Sequence, residues 1–267
     1  MKTTIKLVLM CMLMYASAAW SEALKIEITQ GVSSAQPIAI VPFSSTQVVT
    51  GVAVDVAQII SDDLMRSGRF KSLSRFDMLD KPFTAAQVNF RNWQALGQDN
   101  LVIGEITEQA NGMLEVQFQL FDVYKGEQLM GFSLPANKTG LRGAAHRISD
   151  LIYEKLTGQK GAFSTRMAYV TSTKNLNGKH EYKIQVADAD GYGAKTIVTS
   201  SEPLMSPAWS PRGDKISYVS FEAGRSSIYT QTLRTGAREK LQSFKGINGA
   251  PAWSPDGSQM ALTLSKD

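Results

Sequence analysis

The side chains that could perform acid–base, nucleophilic or metal chemistry are few in this sequence, and their spacing is not that of a catalytic site. There are two histidines, His146 and His180, and one cysteine, Cys11, and they form no metal-ligand spacing. No Gly-x-Ser-x-Gly nucleophile elbow is present. His146 falls within a predicted helix beside Arg142 and Arg147, where a surface or half-buried structural role is expected. The sequence therefore predicts no catalytic residue, no metal site and no cofactor, and so a protein that is not an enzyme.

One glycine-containing stretch resembles ligand-binding loops only in part. Asp188-Ala189-Asp190-Gly191 begins like a calcium loop, but Tyr192 at position five and Thr199 at position twelve do not fit the EF-hand pattern, which needs a carboxylate at position twelve. Gly191-Tyr192-Gly193 begins like a dinucleotide loop, but Thr196 occupies the third glycine position. We interpret the stretch as a hairpin turn.

The composition is that of an ordinary globular protein. The chain has 267 residues, of which 43% are hydrophobic and 19% charged, so it is long enough for a sizeable core. The formal charge is 28 minus 24, or +4, with no polybasic run. This balance argues against a nucleic-acid partner.

The N-terminus has the pattern of a secretory signal peptide. Lys2 and Lys6 precede the apolar run Leu7–Tyr15, and small residues follow. We expect cleavage after Ala23, with Ala19 as the alternative. The apolar run is too short to span a bilayer, although an uncleaved anchor is the other interpretation. The mature chain is thus expected to be exported, without membrane insertion and without a thiol.

From about Pro37 to Gly158 the pattern predicts an α/β domain that mixes βαβ units with an antiparallel meander. A capping box at Thr84 and a cap at Thr139 are expected to begin helices, and Asn111-Gly112 predicts a hairpin with positive φ at both turn positions. The predicted strands are Pro37–Phe43, Arg69–Leu73, Leu101–Glu108, Met113–Asp122 and Glu127–Leu134. The predicted helices contain Val52–Leu64, run from Thr84 to Gly97, and run from Thr139 to Gly158.

A motif that contains Pro-Ala-Trp-Ser-Pro repeats in the second half of the chain. Ser206–Gly213 recurs as Ala250–Gly257, with a period of 251 minus 207, or 44. Each copy precedes a predicted strand, and Thr165–Val170 resembles an earlier, less complete unit. Ser-Pro-x-Gly makes a tight turn, and tryptophan supplies a large apolar body between sheets. Units of this length, built from short strands, are typical of a β-propeller.

The number of repeats is too small for a closed propeller. Residues 162–267 are 106 residues, and 106 divided by 44 is about 2.4 blades, whereas propellers have roughly 4–8. We therefore expect a fragment, an α/β domain followed by an incomplete all-β propeller; closure through oligomerisation is the alternative. The predicted domains are 1–23 (signal peptide), 24–36 (partner-binding tail), 37–160 (α/β domain) and 161–267 (partial propeller).

In this order of parts the chain resembles the TolB family of the Tol-Pal system of Gram-negative bacteria. The stretches that support the resemblance are Gln36–Phe43, Glu154–Gly158, Lys160–Phe163, Leu204–Pro211 and Asn248–Pro251. The resemblance implies a six-bladed propeller in the periplasm, a Pal-type lipoprotein bound at the mouth of the propeller channel, and a TolA-type inner-membrane protein bound by the mature N-terminus. It also implies roles in outer-membrane constriction during division and in outer-membrane integrity, and use by some bacteriocins.

The segment expected to bind the TolA-type partner alternates apolar and polar residues, as a strand added to another protein's sheet would. From the residues alone, an edge strand of its own domain is an equal alternative. The resemblance favours partner binding, with a switch between the two states as a further expectation. The candidate residues are Leu24, Lys25, Ile26, Glu27, Ile28 and Thr29.

The residues expected to contact the Pal-type partner are interpreted as loops that enter the innermost strand of each blade. Plain turns are the alternative from the residues alone, and Ile247 stands where a polar contact residue would be more natural. The candidates are Met205, Ser206, Pro207, Asn248, Gly249 and Ala250.

Two classes of function remain open on the sequence. The first is a non-enzymatic periplasmic adaptor of the TolB kind. The second is the propeller portion of an exported prolyl-oligopeptidase-type serine peptidase, whose catalytic elbow would follow Asp267. The leader and the N-terminal domain favour the adaptor.

Overall fold

The computed structural model describes residues 35–45, 54–174 and 176–265. A mixed sheet comes first, in the order β3-β1-β4-β5-β6, and its short second strand pairs with the fourth. Its strands are β1 (Gln36–Ile40), β2 (Ser44–Ser45), β3 (Phe70–Ser72), β4 (Asn100–Glu108), β5 (Leu114–Asp122) and β6 (Glu127–Ala136). β1 runs parallel to β3 and β4, whereas β4, β5 and β6 form an antiparallel meander. The predicted mixture of βαβ units and a meander is therefore confirmed.

Two of the three α-helices in the described residues cover one face of this sheet. The helices are α1 (Val56–Arg66), α2 (Phe90–Ala95) and α3 (Leu141–Thr157). α1 begins where the Asp55 side chain accepts a hydrogen bond from the Gln58 amide at 2.9 Å. Ile60 of α1 and Ile148 of α3 are fully buried in the core between the helices and the sheet. Burial of this apolar stripe, more than intrinsic propensity, stabilises helices of such length.

The opposite face of the sheet is covered by an irregular segment where one long helix was predicted, and that prediction is wrong. The Thr84–Gln87 capping box is present, but it closes a 3₁₀ turn, Ala85–Gln87. Val88 is then extended, and only α2 follows before Gly97. The break allows Trp93 to be completely buried against β1 and β4. Tertiary burial of a large aromatic side chain outweighs local helix propensity here.

Two local details also differ from the sequence prediction. In the β4–β5 hairpin only Gly112 has positive φ, 76°, and the Asn111 side chain instead accepts a hydrogen bond from the Met113 amide. Before the third helix, Asn137 caps the 3₁₀ turn Lys138–Gly140 by accepting from the Gly140 amide at 2.7 Å; the helix begins at Leu141, and its cap is Gly140 and not Thr139. In both places an asparagine side chain accepts a hydrogen bond from a backbone N–H, and the backbone of that asparagine does not adopt the left-handed conformation.

Three antiparallel sheets follow the α/β domain. The first contains β7 (Arg166–Lys174), β8 (His180–Asp188) and β9 (Lys195–Ser200). The second contains β10 (Leu204–Trp209), β11 (Lys215–Ser220), β12 (Ser227–Thr232) and β13 (Arg238–Gln242). The third contains β14 (Asn248–Trp253) and β15 (Met260–Leu264).

The first strands of successive sheets are neighbours, as the innermost strands of propeller blades are. β10 contacts both β7 and β14, and β14 also packs on β11 and β12 of the preceding sheet. The sheets do not close into a ring in the described residues, so the fold is an α/β domain followed by a partial β-propeller, as predicted. In the part of the chain that the structure describes, no helix is long and apolar enough to cross a membrane.

Candidate functional site

The innermost strands of the second and third sheets carry an unusual backbone feature at the same position of the repeat. Ser206, with φ of 51°, and Ala250, with φ of 47°, are the two non-glycine residues with positive φ in the described ranges. Each lies in a β-bulge where the pairing of β10 with β11, or of β14 with β15, shifts register. Such strained backbone is concentrated at functional sites, so this repeated bulge is the candidate site.

The segments predicted as loops at this position lie inside strands, and that part of the prediction is wrong. Met205-Ser206-Pro207 belongs to β10 and Asn248-Gly249-Ala250 to β14. A proline directly follows each strained residue, Pro207 in one copy and Pro251 in the other. Proline has no N–H to donate to the ladder, and sheets accommodate it at edges or bulges. The strand therefore continues through the motif instead of beginning after it.

Several residues at the bulges are accessible to a partner. We call Met205, Ser206, Ile247, Gly249 and Ala250 the bulge face; the Met205 side chain is 51% exposed and Ile247 65%. The backbone beneath is held in the same way in both copies. Pro203 O accepts from Phe221 N at 3.1 Å, and Ile247 O accepts from Ser265 N at 2.9 Å. Exposed apolar side chains on a fixed backbone suit protein binding.

Asn248 is one predicted contact residue with a visible structural task. It is fully buried, and its side-chain amide donates to Ser226 O at 3.0 Å and to Phe244 O at 2.8 Å, while its carbonyl accepts from Phe244 N at 2.9 Å. Its backbone N–H also donates to the Ser226 hydroxyl at 2.8 Å. Asn248 thus fastens the turn that leads to Ile247 onto the second sheet.

The Ser-Pro-x-Gly turns lie at the opposite ends of the same strands and have the predicted geometry. Gly213 N donates to Ser210 O at 2.8 Å, and Gly257 N donates to Ser254 O at 2.9 Å; both glycines have positive φ. In the second turn, hydrogen bonds from the hydroxyls of Ser254 and Ser258 lower the pKa of Asp256 to about 2. The turns give the two copies equivalent hairpins and so place the bulges equivalently.

A buried polar cluster joins α1 and α3 to the first propeller sheet. His146 is 2% exposed, so the prediction of a surface or half-buried position is wrong. Its Nδ1 lies 2.7 Å from Asp63 Oδ2, and its Nε2 lies 3.3 Å from Arg142 Nη2. The Arg142 guanidinium pairs with Asp190 and lies 3.7 Å from Asp188. Burial is tolerated because the charges of the cluster lie beside one another, although Arg142 Nε itself makes no hydrogen bond.

This cluster contains the set of side chains in the described residues that comes closest to a metal site. The ligand atoms of His146, Asp188 and Asp190 lie within 4.8 Å of one another. However, the Arg142 guanidinium already pairs with Asp190 and lies beside Asp188, which places a positive charge next to these ligand atoms. Burial alone would raise the pKa of Asp190, but the Tyr192 amide and the Arg142 guanidinium outweigh burial and lower it. The arrangement is that of a structural ion-pair network, and Asp188–Gly193 is the turn that the sequence predicted.

The remaining site predictions fall in two places. Leu24, Lys25, Ile26, Glu27, Ile28 and Thr29 lie outside the described residues. His180 begins β8, stacks on Tyr182 and lies 3.0 Å from the Ser172 hydroxyl. The sequence did not predict the His146–Asp63 pair, whose members are 83 positions apart. It also did not predict the positive φ of Ser206 and Ala250, for which the proline that follows each residue was the available signal.

Comparison with known proteins matches both halves of the chain. The family model described as "TolB amino-terminal domain" matches residues 24–129, and the one described as "TolB beta propeller domain" matches residues 153–267. The fold and these models define a class of protein in which an α/β domain precedes the blades of a propeller.

Named relatives agree with the models. The Tol-Pal system protein TolB of Nitrosococcus oceani is 48% identical over 227 residues, which are 85% of this chain and 52% of that protein. The Tol-Pal system protein TolB of Xanthomonas oryzae pv. oryzae is 45% identical over 235 residues, which are 88% of this chain and 53% of that protein. The crystal structure of TolB from Acinetobacter baumannii superposes with a TM-score of 0.78 at 42% identity, over 90% of this chain and 58% of that one.

The chain belongs to the TolB family. It spans about half the length of the curated relatives that it matches.

Proposed function

We propose that this chain forms part of a non-enzymatic periplasmic adaptor of the Tol-Pal system. The adaptor links a Pal-type lipoprotein to a TolA-type inner-membrane protein and so supports outer-membrane constriction during division and outer-membrane integrity. Membership of the TolB family supports the system, and the N-terminal leader pattern supports the compartment. A match to the N-terminal domain model also favours the adaptor over the propeller of a serine peptidase.

The observation that carries the proposal is the repeated bulge. Ser206 and Ala250 present strained backbone at the same end of adjacent innermost strands, beside the exposed Met205 and Ile247. Fixed backbone lowers the entropic cost of binding, because the partner does not have to order it. We assign the bulge face to the Pal-type partner, with Pro207 and Asn248 holding its shape. Bacteriocins that use the system would compete for the same face.

The TolA-type partner is assigned to Leu24–Thr29. The alternating pattern suits addition of a strand to a partner's sheet edge, with backbone hydrogen bonds supplying affinity and alternate side chains supplying specificity. Binding at the bulge face and release of this tail are coupled if the Pal-type partner has different affinities for the two tail states.

The first test concerns the bulge face and uses the full-length protein. Met205→Asp places a charge on the exposed apolar surface and is expected to weaken binding of a Pal-type lipoprotein about tenfold, measured by calorimetry. The matched control is Met113→Asp, since Met113 is 38% exposed in the β4–β5 hairpin of the other domain. Unchanged affinity of Met205→Asp, or equal loss in both variants, would refute the assignment.

The second test concerns the tail. Deletion of residues 24–33 is expected to abolish pull-down of a TolA-type protein and to leave binding of the Pal-type lipoprotein intact. Retention of both interactions would contradict the tail assignment while leaving the bulge-face assignment standing.

A further inference from the structure

A groove separates the first and second propeller sheets at the end opposite to the bulges. It has a volume of about 550 Å³. Its apolar lining comes from both sheets, with Val186 and Ile197 from the first and Leu233 from the second. Arg166, Lys195 and Arg234 also line it, with Gly213, Asp214 and Thr232. We call this the inter-blade groove.

The walls of the groove are fastened to each other across the two sheets. Gln231 Nε2 of β12 donates to Ile197 O of β9 at 3.0 Å. Arg166 Nη2 of β7 donates to Gly213 O at 3.0 Å, and the same guanidinium lies 4.8 Å over the Trp209 ring. These links hold both walls in place without a ligand. Pre-formed concave sites of this kind are the usual form of binding sites.

The charge of the groove is positive and unbalanced. Arg166, Lys195 and Arg234 have no carboxylate partner in the residues that the structure describes. The one carboxylate in the lining, Asp214, accepts from the Ser210 hydroxyl at 2.8 Å and lies 3.5 Å from Arg212. Both oxygens of the Asp214 carboxylate therefore have partners other than the three cations.

Arg142, unlike the three groove cations, has carboxylate groups beside its positive charge. Its guanidinium faces Asp188 and Asp190 and lies over the Tyr192 ring at 3.8 Å. The three groove cations, by contrast, border an apolar floor, and the one carboxylate in the lining, Asp214, is engaged by Ser210 and Arg212. A ligand that fits must therefore combine negative charge with apolar side chains.

We propose that the inter-blade groove binds an acidic peptide segment, bearing alternating carboxylate and apolar side chains, of a partner protein. The carboxylates pair with Lys195 and Arg234 at the rim, and the apolar side chains cover Ile197 and Leu233. The groove lies at the Ser-Pro-x-Gly end of β10, and the bulge face lies at the other end of that strand. The two surfaces can therefore be occupied at the same time.

The test uses a fluorescein-labelled octapeptide of alternating aspartate and leucine, and fluorescence anisotropy on the full-length protein. Specific binding is expected, and it should weaken with added salt because the contacts are exposed charges. The double variant Lys195→Glu/Arg234→Glu should lose about tenfold or more in affinity. Both side chains are exposed, so the variant is expected to fold; its thermal unfolding should match that of the parent.

Two controls separate the groove from general electrostatics. Lys240→Glu reverses one exposed charge on β13, outside the groove, and should leave the affinity unchanged. An asparagine–leucine octapeptide should bind at least tenfold more weakly than its aspartate counterpart, since it lacks the charge.

Four results would overturn the proposal, and the first three are no binding by the parent protein, equal loss in Lys240→Glu, and equal binding of the neutral peptide. Displacement of the octapeptide by a peptide of residues 24–33 would also overturn it, because the occupant would then be the chain's own tail. None of these results bears on the bulge face, which is tested with the lipoprotein.

Discussion

Trp209 and Trp253 occupy equivalent positions in adjacent sheets. Each is the last residue of an innermost strand, and each pairs across its hairpin with the residue seven positions further along the chain, Ile216 for Trp209 and Met260 for Trp253. Trp209 packs against the core shared by the first two sheets, beneath the Arg166 guanidinium. This equivalence is the structural meaning of the 44-residue period.

The first prediction concerns the packing of this tryptophan. Trp209→Ala removes a half-buried indole from the core between the first two sheets and is expected to destabilise the protein by about 2–3 kcal/mol. Urea unfolding measures the change. Trp209→Phe keeps an aromatic ring in the same place and should recover more than half of the loss; equal destabilisation by both would show that packing is not the cause.

The second prediction concerns the strained bulges. Ala250→Gly is expected to stabilise the protein by about 1 kcal/mol, because glycine adopts φ near 47° without steric cost. The matched control is Ala252→Gly, an exposed residue two positions later in β14 without positive φ, which should destabilise by about 0.5–1 kcal/mol. Chemical denaturation that gives both variants the same sign would contradict the strain.

The third prediction concerns the buried Asn248. Asn248→Ala removes the hydrogen bonds that the Asn248 side chain makes with Ser226 O, Phe244 O and Phe244 N, and should cost about 2–3 kcal/mol of unfolding free energy. Asn111→Ala, in the exposed β4–β5 turn, is the control and should cost under about 1 kcal/mol. Hydrogen exchange should also accelerate at residues 244–247 in the first variant; unchanged exchange there would argue against the fastening role.

The fourth prediction concerns acid. The pKa of Asp190 is lowered in the fold by the Tyr192 amide and by Arg142, which together outweigh burial. A lowered carboxyl pKa stabilises the fold above the unfolded-state value, near 3.8, and that contribution is lost as the pH falls below it. Asp190→Asn should therefore be less stable than the parent at neutral pH, with a smaller further loss on acidification.

Thermal unfolding at a series of pH values checks the effect of Asp190. The exposed Asp77, which has no ion pair in the described part of the chain, provides the control Asp77→Asn. The thermal stability of the Asp77→Asn variant should match that of the parent across the series. If the thermal stability of Asp190→Asn and that of the parent changed with pH in parallel, Asp190 would not contribute to acid sensitivity.

Features that depend on neighbours in the chain were accessible without coordinates. The Ser-Pro-x-Gly turns, the hairpin at Asn111-Gly112 and the capping box at Thr84–Gln87 were all located from residue type, because a few backbone angles and one side-chain bond decide each of them. The long helix predicted after Thr84 is wrong for a tertiary reason, because burial of Trp93 against the sheet interrupts it.

By itself, the sequence determined that an α/β domain precedes blades of a propeller, since periodicity, turn chemistry and a repeated tryptophan act over short distances along the chain. Only the tertiary structure decided that His146 is buried against Asp63, that Ser206 and Ala250 are strained inside strands, and that three cations surround a groove between sheets. Each of these depends on groups that are brought together from distant positions or on the register of a strand against its neighbour. Burial, strain and unpaired charge are properties of that assembled neighbourhood, so no local pattern encodes them.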